Sequence, residues 1–144
     1  LENQWNFMRL PHVVPMLGDA GAHVGFFTDT DSPTVLLSEL TRKQGVYSLP
    51  EAIHRITGKS AQIIGLKERG ELREGWHADI NVIDYENLHT CHPEYVNDFP
   101  HGGGRFIVKS RGYDATIVAG QVVVQNGVHT GHRPGEVIRN FVRG

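Results

Sequence analysis

A single cysteine, Cys91, stands in 144 residues. That count excludes an intrachain disulfide and is the usage expected in a reducing compartment. Excess positive charge is missing too: 14 Lys+Arg against 16 Asp+Glu leave a formal net charge of −2, with no basic cluster. Nucleic-acid binders ordinarily present a basic face, so that class is disfavoured. No apolar run approaches the roughly 20 residues of a membrane span, and no signal-peptide pattern is present. Internal repeats and low-complexity tracts are absent as well. The expectation is a cytoplasmic protein that engages neither nucleic acid nor membrane. What is present fits a folded domain: 39% hydrophobic and 21% charged residues, in a chain long enough for one core. The chain opens Leu1-Glu2 rather than with Met, which reads as a fragment or a processed product.

The first half reads as helical. "HVVPML", His12 to Leu17, predicts a short buried strand, opposed only by Pro15, which has no ladder donor. It ends in "GDAGAHVG", where Asp19 and His23 lie four apart among residues of almost no bulk. Such neighbours permit tight turns and close approach of a ligand or of a core. "SPTVLLSELTRKQG" predicts a helix with Ser32 as N-cap, Pro33 in the first position, Gly45 at the end and an apolar stripe of Val35, Leu36, Leu37 and Leu40. Ser48 and Glu51 have capping-box spacing before Ala52, Ile53 and Ile56, and a further short helix over Lys59 to Ile64 should end at Gly65.

From about residue 70 the character turns to β. Asp79 to Asp84 alternates, "RFIVKS" reads as a strand, and "ATIVAGQVVVQNGVHTG" reads as strand, turn, strand, turn, with Asn126-Gly127 the strongest hairpin signal. Residues 86–105 read as one long loop.

Several residues invite chemistry, each with a plainer reading beside it. Asp19 is either a turn aspartate or a reactive carboxylate. His23 either contacts a ligand or packs its loop. Asp29 and Asp31 are better explained as a solvated acidic loop before a helix than as a cation site, which needs more oxygen ligands. "HTCH" (His89, Cys91, His92) is the one local cluster of soft ligands, but a structural zinc needs a fourth, and only His101 is on offer. "GKS", Gly58 to Ser60, lacks the first glycine of a Walker motif, since Ile53 occupies that place. "HGGG", His101 to Gly104, resembles a lipase oxyanion loop, yet no G-x-S-x-G accompanies it. The glycines are either turn residues or a loop passing close to a substrate, with Arg105 a partner for a carboxylate. His12, His54, His77, His129 and His132 show no metal spacing, and Trp76 reads as a packing residue.

Taken in order, "LGDAGAHVG", "LPEAIHRITGKSAQIIGLKERGELREGWHADINVID" and "PHGGGRFIVKSRGYDATIVAGQVVVQNGVHTGHRPGEVIR" resemble the carboxyl-terminal part of the amidohydrolase superfamily. The similarity is to its D-aminoacylase-like (N-acyl-D-amino-acid deacylase) branch. The run G-x-L-x-x-G-x-x-A-D-I, Gly70 to Ile80, marks the superfamily, and the last segment marks the branch. The resemblance implies an α/β fold with added β-structure. Residues 1–69 would be the last βα unit of a (β/α)8 barrel, and residues 70–144 part of a small β-sandwich. It implies a metal-dependent hydrolase of amide C–N bonds, with zinc as the metal of the full-length parent. Asp19 would be the catalytic proton carrier and a contact of the metal, with His23 and Arg105 touching substrate. The superfamily's H-x-H ligands do not occur in this chain. The chain alone is therefore expected to be inactive, to bind zinc weakly if at all, and to self-associate through unpaired strand edges. The other class of function weighed is a non-catalytic αβ module for binding or assembly.

Overall fold

The computed structural model describes residues 2–15, 18, 20–139 and 141. Helices come first. α1 (Glu2–Arg9) lays Trp5 and Met8 against the core and leaves Phe7 exposed. α2 (Ser32–Val35) starts one residue earlier than Ser32 capping predicts: Asp31 is the N-cap, and its carbonyl accepts the Val35 N–H at 3.0 Å. It runs directly into a π-helical segment, Leu36–Lys43, closed by a bond from Gln44 N–H to the Glu39 carbonyl five residues back. Ser38 Oγ donates to the Thr34 carbonyl at 2.8 Å, a back-bond of the kind that bends helices. Leu36, Leu37, Ser38 and Thr41 of this segment are buried.

α3 (Leu49–Ile56) begins where the capping pattern places it, with Ser48 Oγ accepting the Glu51 N–H at 3.4 Å. The reciprocal half of the box is not made, because Glu51 turns its carboxylate to Arg55 instead. α4 (Gly58–Ile64) ends on Gly65 in the left-handed conformation, as expected.

The strand predicted over His12 to Leu17 does not form over 12–15, where the backbone turns and then runs on without pairing to another strand. Met16 and Leu17 lie outside the described residues. Pro15 supplies no N–H, and the Val13 carbonyl is taken by Arg55 at 2.6 Å rather than by a strand.

Among the described residues the second half forms eight strands: β1 (Ile80–Ile83), β2 (His89–Thr90), β3 (Glu94–Val96), β4 (Arg105–Ile107), β5 (Ser110–Arg111), β6 (Tyr113–Val118), β7 (Gln121–Gln125) and β8 (Val128–His129). They make one four-stranded antiparallel sheet in the order β1-β6-β7-β8 and two ribbons, β2-β5 and β3-β4. The stretch 86–105 is therefore not one long loop. It carries β2, β3 and a 3-10 turn at Pro100–Gly102, and these strands are too short to leave a readable alternation. Asn126 (φ 49°) and Gly127 (φ 78°) form the hairpin turn between β7 and β8, as their sequence predicts.

Leu36, Leu37, Val46, Tyr47, Ala52 and Leu88 form the buried cluster, joined by Ile83, Tyr85 and Tyr113. Side chains from both sides of residue 70 thus share one core. Thr34 Oγ1 ties the helices to the β-half through Ser110 Oγ (2.9 Å) and the Tyr113 hydroxyl (3.0 Å). In the four-stranded sheet, by contrast, every residue is half-buried or exposed.

Candidate functional site

Asp19 lies outside the described residues, so its frame is read from what surrounds it. The glycine-rich segment folds back on itself. A Cβ at Gly18 would stand 3.1 Å from Asp29 Oδ2, which brings the start of the segment against the acidic stretch that follows it. Gly21 takes φ +90°, the backbone freedom this turn requires. His23, also left-handed at φ 49°, turns the chain so that its carbonyl accepts the N–H groups of Phe26 (2.8 Å) and Phe27 (3.3 Å). Its ring is exposed and tilted against Phe27, with centroids 6.0 Å apart.

One bond docks this loop on the β-half: Phe106 N–H donates to the Val24 carbonyl at 2.7 Å. Between loop and strand lies an open cavity of about 290 Å³, lined by Gly21, Val24, Phe27, Asp29, Arg105 and Ile107 among others. The structure thus brings Arg105 to the glycine-rich loop, 86 positions after Asp19 in the chain. His23 is not among the lining residues.

Arg105 arrives already engaged. Its Nε and Nη2 donate to Asp98 Oδ1 and Oδ2 at 2.8 and 2.7 Å, a bidentate fork. The hydrogen bonds from Arg105 hold the Asp98 carboxyl below its usual range, and the pairing raises the guanidinium in turn. The guanidinium carbon also sits 5.1 Å from the Phe99 ring centroid. A carboxylate on a ligand would have to use Nη1.

The triple glycine builds this corner and is not an oxyanion hole. The Gly102 and Gly103 N–H groups point inward, to the carbonyls of Phe99 (3.1 Å) and Pro100 (3.4 Å). The Tyr95 ring crosses Gly104, and a Cβ there would meet the Tyr95 hydroxyl end of the ring, which would have to swing aside. Tyr95 in turn meets Phe106 edge-on, at 5.0 Å.

"HTCH" shows no convergence of ligands. His89 Nδ1 lies 2.7 Å from the Asn87 carbonyl, and Cys91 N–H pairs with the Lys109 carbonyl at 2.8 Å. Among the described residues, no group of three or more His, Cys, Asp or Glu side chains could hold a metal ion. The described donor set therefore does not fit a metal centre. No described helix is long and apolar enough to cross a membrane.

Two arginines that the sequence reading passed over hold the loops in place. Arg55, 4% exposed, forks onto Glu51 Oε1 (3.0 and 2.9 Å). It also donates to the carbonyls of Met8 (3.1 Å), Arg9 (3.0 Å), Leu10 (3.2 Å) and Val13 (2.6 Å). Its guanidinium carbon lies 4.9 Å from the Tyr47 ring centroid. The Tyr47 hydroxyl joins the same cluster by donating to the Met8 carbonyl at 2.7 Å, and burial pushes its pKa up. Arg42 does the same for the turn after β1, donating to the carbonyls of Tyr85, Glu86 (3.0 Å) and Leu88 (2.7 Å). The spacing of Glu51 and Arg55 was the available signal, but i,i+4 pairs usually lie at the surface.

Comparison with known proteins agrees with the order of the segments. Residues 6–124 match the family described as "Amidohydrolase family". The chain is 39% identical over 106 residues to an N-acyl-D-aspartate deacylase of Alcaligenes xylosoxydans xylosoxydans, covering 73% of this chain and 19% of that one. It is 34% identical over 96 residues to a dihydroorotase of Endomicrobium trichonymphae, covering 64% of this chain and 22% of the relative. Among solved structures it resembles a D-aminoacylase said to define a novel subset of amidohydrolases, with TM-score 0.55, 27% identity, and coverage of 69% of this chain and 19% of the other. A D-aminoacylase mutant in complex with 100 mM CuCl2 is similar at TM-score 0.60 and 27% identity, covering 75% of this chain and 21% of that one. The chain thus spans about a fifth of the length of these relatives.

Proposed function

The chain belongs to the amidohydrolase family, and from that premise we propose that it is the carboxyl-terminal portion of a hydrolase of amide C–N bonds. N-acyl-D-amino acids or close analogues are the proposed substrates, as small molecules. The observation that carries the reading is the match over residues 6–124, which spans both the glycine-lined loop and β4, the strand to which that loop is bonded.

In this reading Asp19 carries the proton. Its carboxylate takes one from the attacking water as the carbonyl carbon becomes tetrahedral, and returns it to the amine nitrogen as the C–N bond breaks. The small residues beside it in the sequence would let a substrate approach the carboxylate closely. The cavity between the loop and β4 would seat part of the substrate, with Phe27 and Ile107 against its apolar portion. Arg105 would offer Nη1 to a carboxylate while Asp98 fixes its fork, and His23 would contact the substrate from the loop tip. Zinc is the metal proposed for the parent enzyme: Asp19 would be one contact, the described residues supply no further ligand set, and the remaining ligands would come from parts of the protein beyond this chain.

The test uses the full-length enzyme and a panel of N-acyl-D- and N-acyl-L-amino acids. Asp19→Asn should lower kcat by about 10²- to 10⁴-fold, the usual range for a general acid–base group, with little change in KM. Turnover of Asp19→Asn at the wild-type rate would refute the assignment. An absence of amide hydrolysis by the full-length protein would favour the non-catalytic module.

A further inference from the structure

We propose that Arg55 is a positioning residue that sets where the Asp19 loop begins; the proposal rests on the reading of Asp19 as the proton carrier. The stretch from Leu10 to Pro15 has no strand or helix to satisfy its carbonyls. Arg55 reaches it from the last turn of α3: Nη2 donates to Arg9, and the two Nη1 N–H groups are shared among the carbonyls of Met8, Leu10 and Val13. The cost of burying the charge is offset by Glu51, by these four carbonyls and by the face of Tyr47. The planar fork is what allows one side chain to hold four carbonyls in a fixed arrangement.

Neighbouring groups complete the clamp. Arg9 Nε donates to the Val46 carbonyl at 2.8 Å, Lys59 Nζ reaches the Pro11 carbonyl, and the Tyr47 hydroxyl shares Met8 with Arg55. Val13 is therefore held from one side, six positions before Asp19. Gly18, immediately before Asp19, packs against Asp29 from the other. Val13 and Gly18 are the described positions that lead into the Asp19 loop. A misplacement of about 1 Å at a reacting group can cost about 10²-fold in rate, so the clamp acts on catalysis from a distance.

Arg55→Lys keeps the charge and loses the fork, and Glu51→Gln keeps Arg55 but removes the charge that orients it. Each is placed in the full-length enzyme, alone and with Asp19→Asn, and folding is checked by far-UV circular dichroism. For either variant, kcat should fall about ten- to hundred-fold with KM within about two-fold. In the Asp19→Asn background the added loss should be below about two-fold, because the group being positioned is gone. The Val13 amide, bonded to the Leu10 carbonyl at 3.1 Å, should exchange about ten-fold faster, with β6 and β7 unchanged. Equal kcat losses in both backgrounds, or unchanged exchange at Val13, would overturn the proposal. If Asp19→Asn alone keeps wild-type kcat, the proton-carrier reading is what fails, and Val13 exchange still decides whether Arg55 holds the segment.

Discussion

Two glycines in the run Gly70 to Ile80 look equivalent in the sequence and are not equivalent in space. Gly70, at φ +84°, packs so closely that a Cβ would lie 2.8 Å from the Thr57 carbonyl oxygen and 2.8 Å from Ala61 Cβ. Gly75, at φ +83°, has open space around it. Both positions charge an L-residue for the left-handed backbone, but only Gly70 adds a collision with backbone that cannot swing away. Gly70→Ala should destabilise the fold by about 3 kcal/mol and Gly75→Ala by about 1 kcal/mol, compared by urea unfolding. Asp79 in the same run acts as a turn anchor. Its Oδ1 accepts the Ala119 N–H at 2.9 Å, which helps hold Ala119 at φ 47° in the tight turn between β6 and β7. The motif was legible as a motif; the division of labour within it was not, because the contacts come from α4 and from a turn forty residues away.

At the scale of elements, the helices were readable and their attachments were not. Proline, the N-cap serine and Gly65 announced α3 and α4 from local chemistry alone. Arg55 and Arg42 act between elements, each collecting carbonyls from a loop that no sheet serves. Arg55→Met would leave several of those carbonyls unpaired and should cost about 3 kcal/mol, read as a lower urea midpoint at unchanged slope. The β3-β4 hairpin carries a pH dependence of known sign. Arg105 depresses the Asp98 carboxyl in the fold, so the pair contributes at neutral pH. That contribution is lost as pH falls below the ordinary aspartate range and through the lowered folded value. Asp98→Asn should therefore flatten the acid limb of stability, and Arg105→Ala should return the Asp98 carboxyl to the ordinary range in an NMR titration. The pair is exposed, so high salt should weaken both effects.

At the scale of the molecule, the core and the four-stranded sheet differ in kind. The core is shared between the helices and Leu88, whereas the sheet keeps Val82 45% and Val128 69% exposed on its two outer strands, β1 and β8. An outer strand presents unpaired N–H and C=O groups to any chain that can add to it. The 144-residue chain expressed alone is thus expected to sediment as a dimer or larger assembly; a clean monomer at high concentration would contradict this.

Local chemistry in the sequence was enough to determine the helix caps, the Asn126-Gly127 hairpin and the passage from a helical to a β-rich half, because each depends on residues within one turn of one another. The ordered segments also determined the family. Tertiary structure alone decided that the strand expected over His12 to Leu17 gives way over 12–15 to a clamped turn, that 86–105 is folded, and that Arg105 meets both Asp98 and the glycine-rich loop. Those outcomes rest on partners remote along the chain: a carbonyl or an arginine carries no local mark of which distant group will satisfy it.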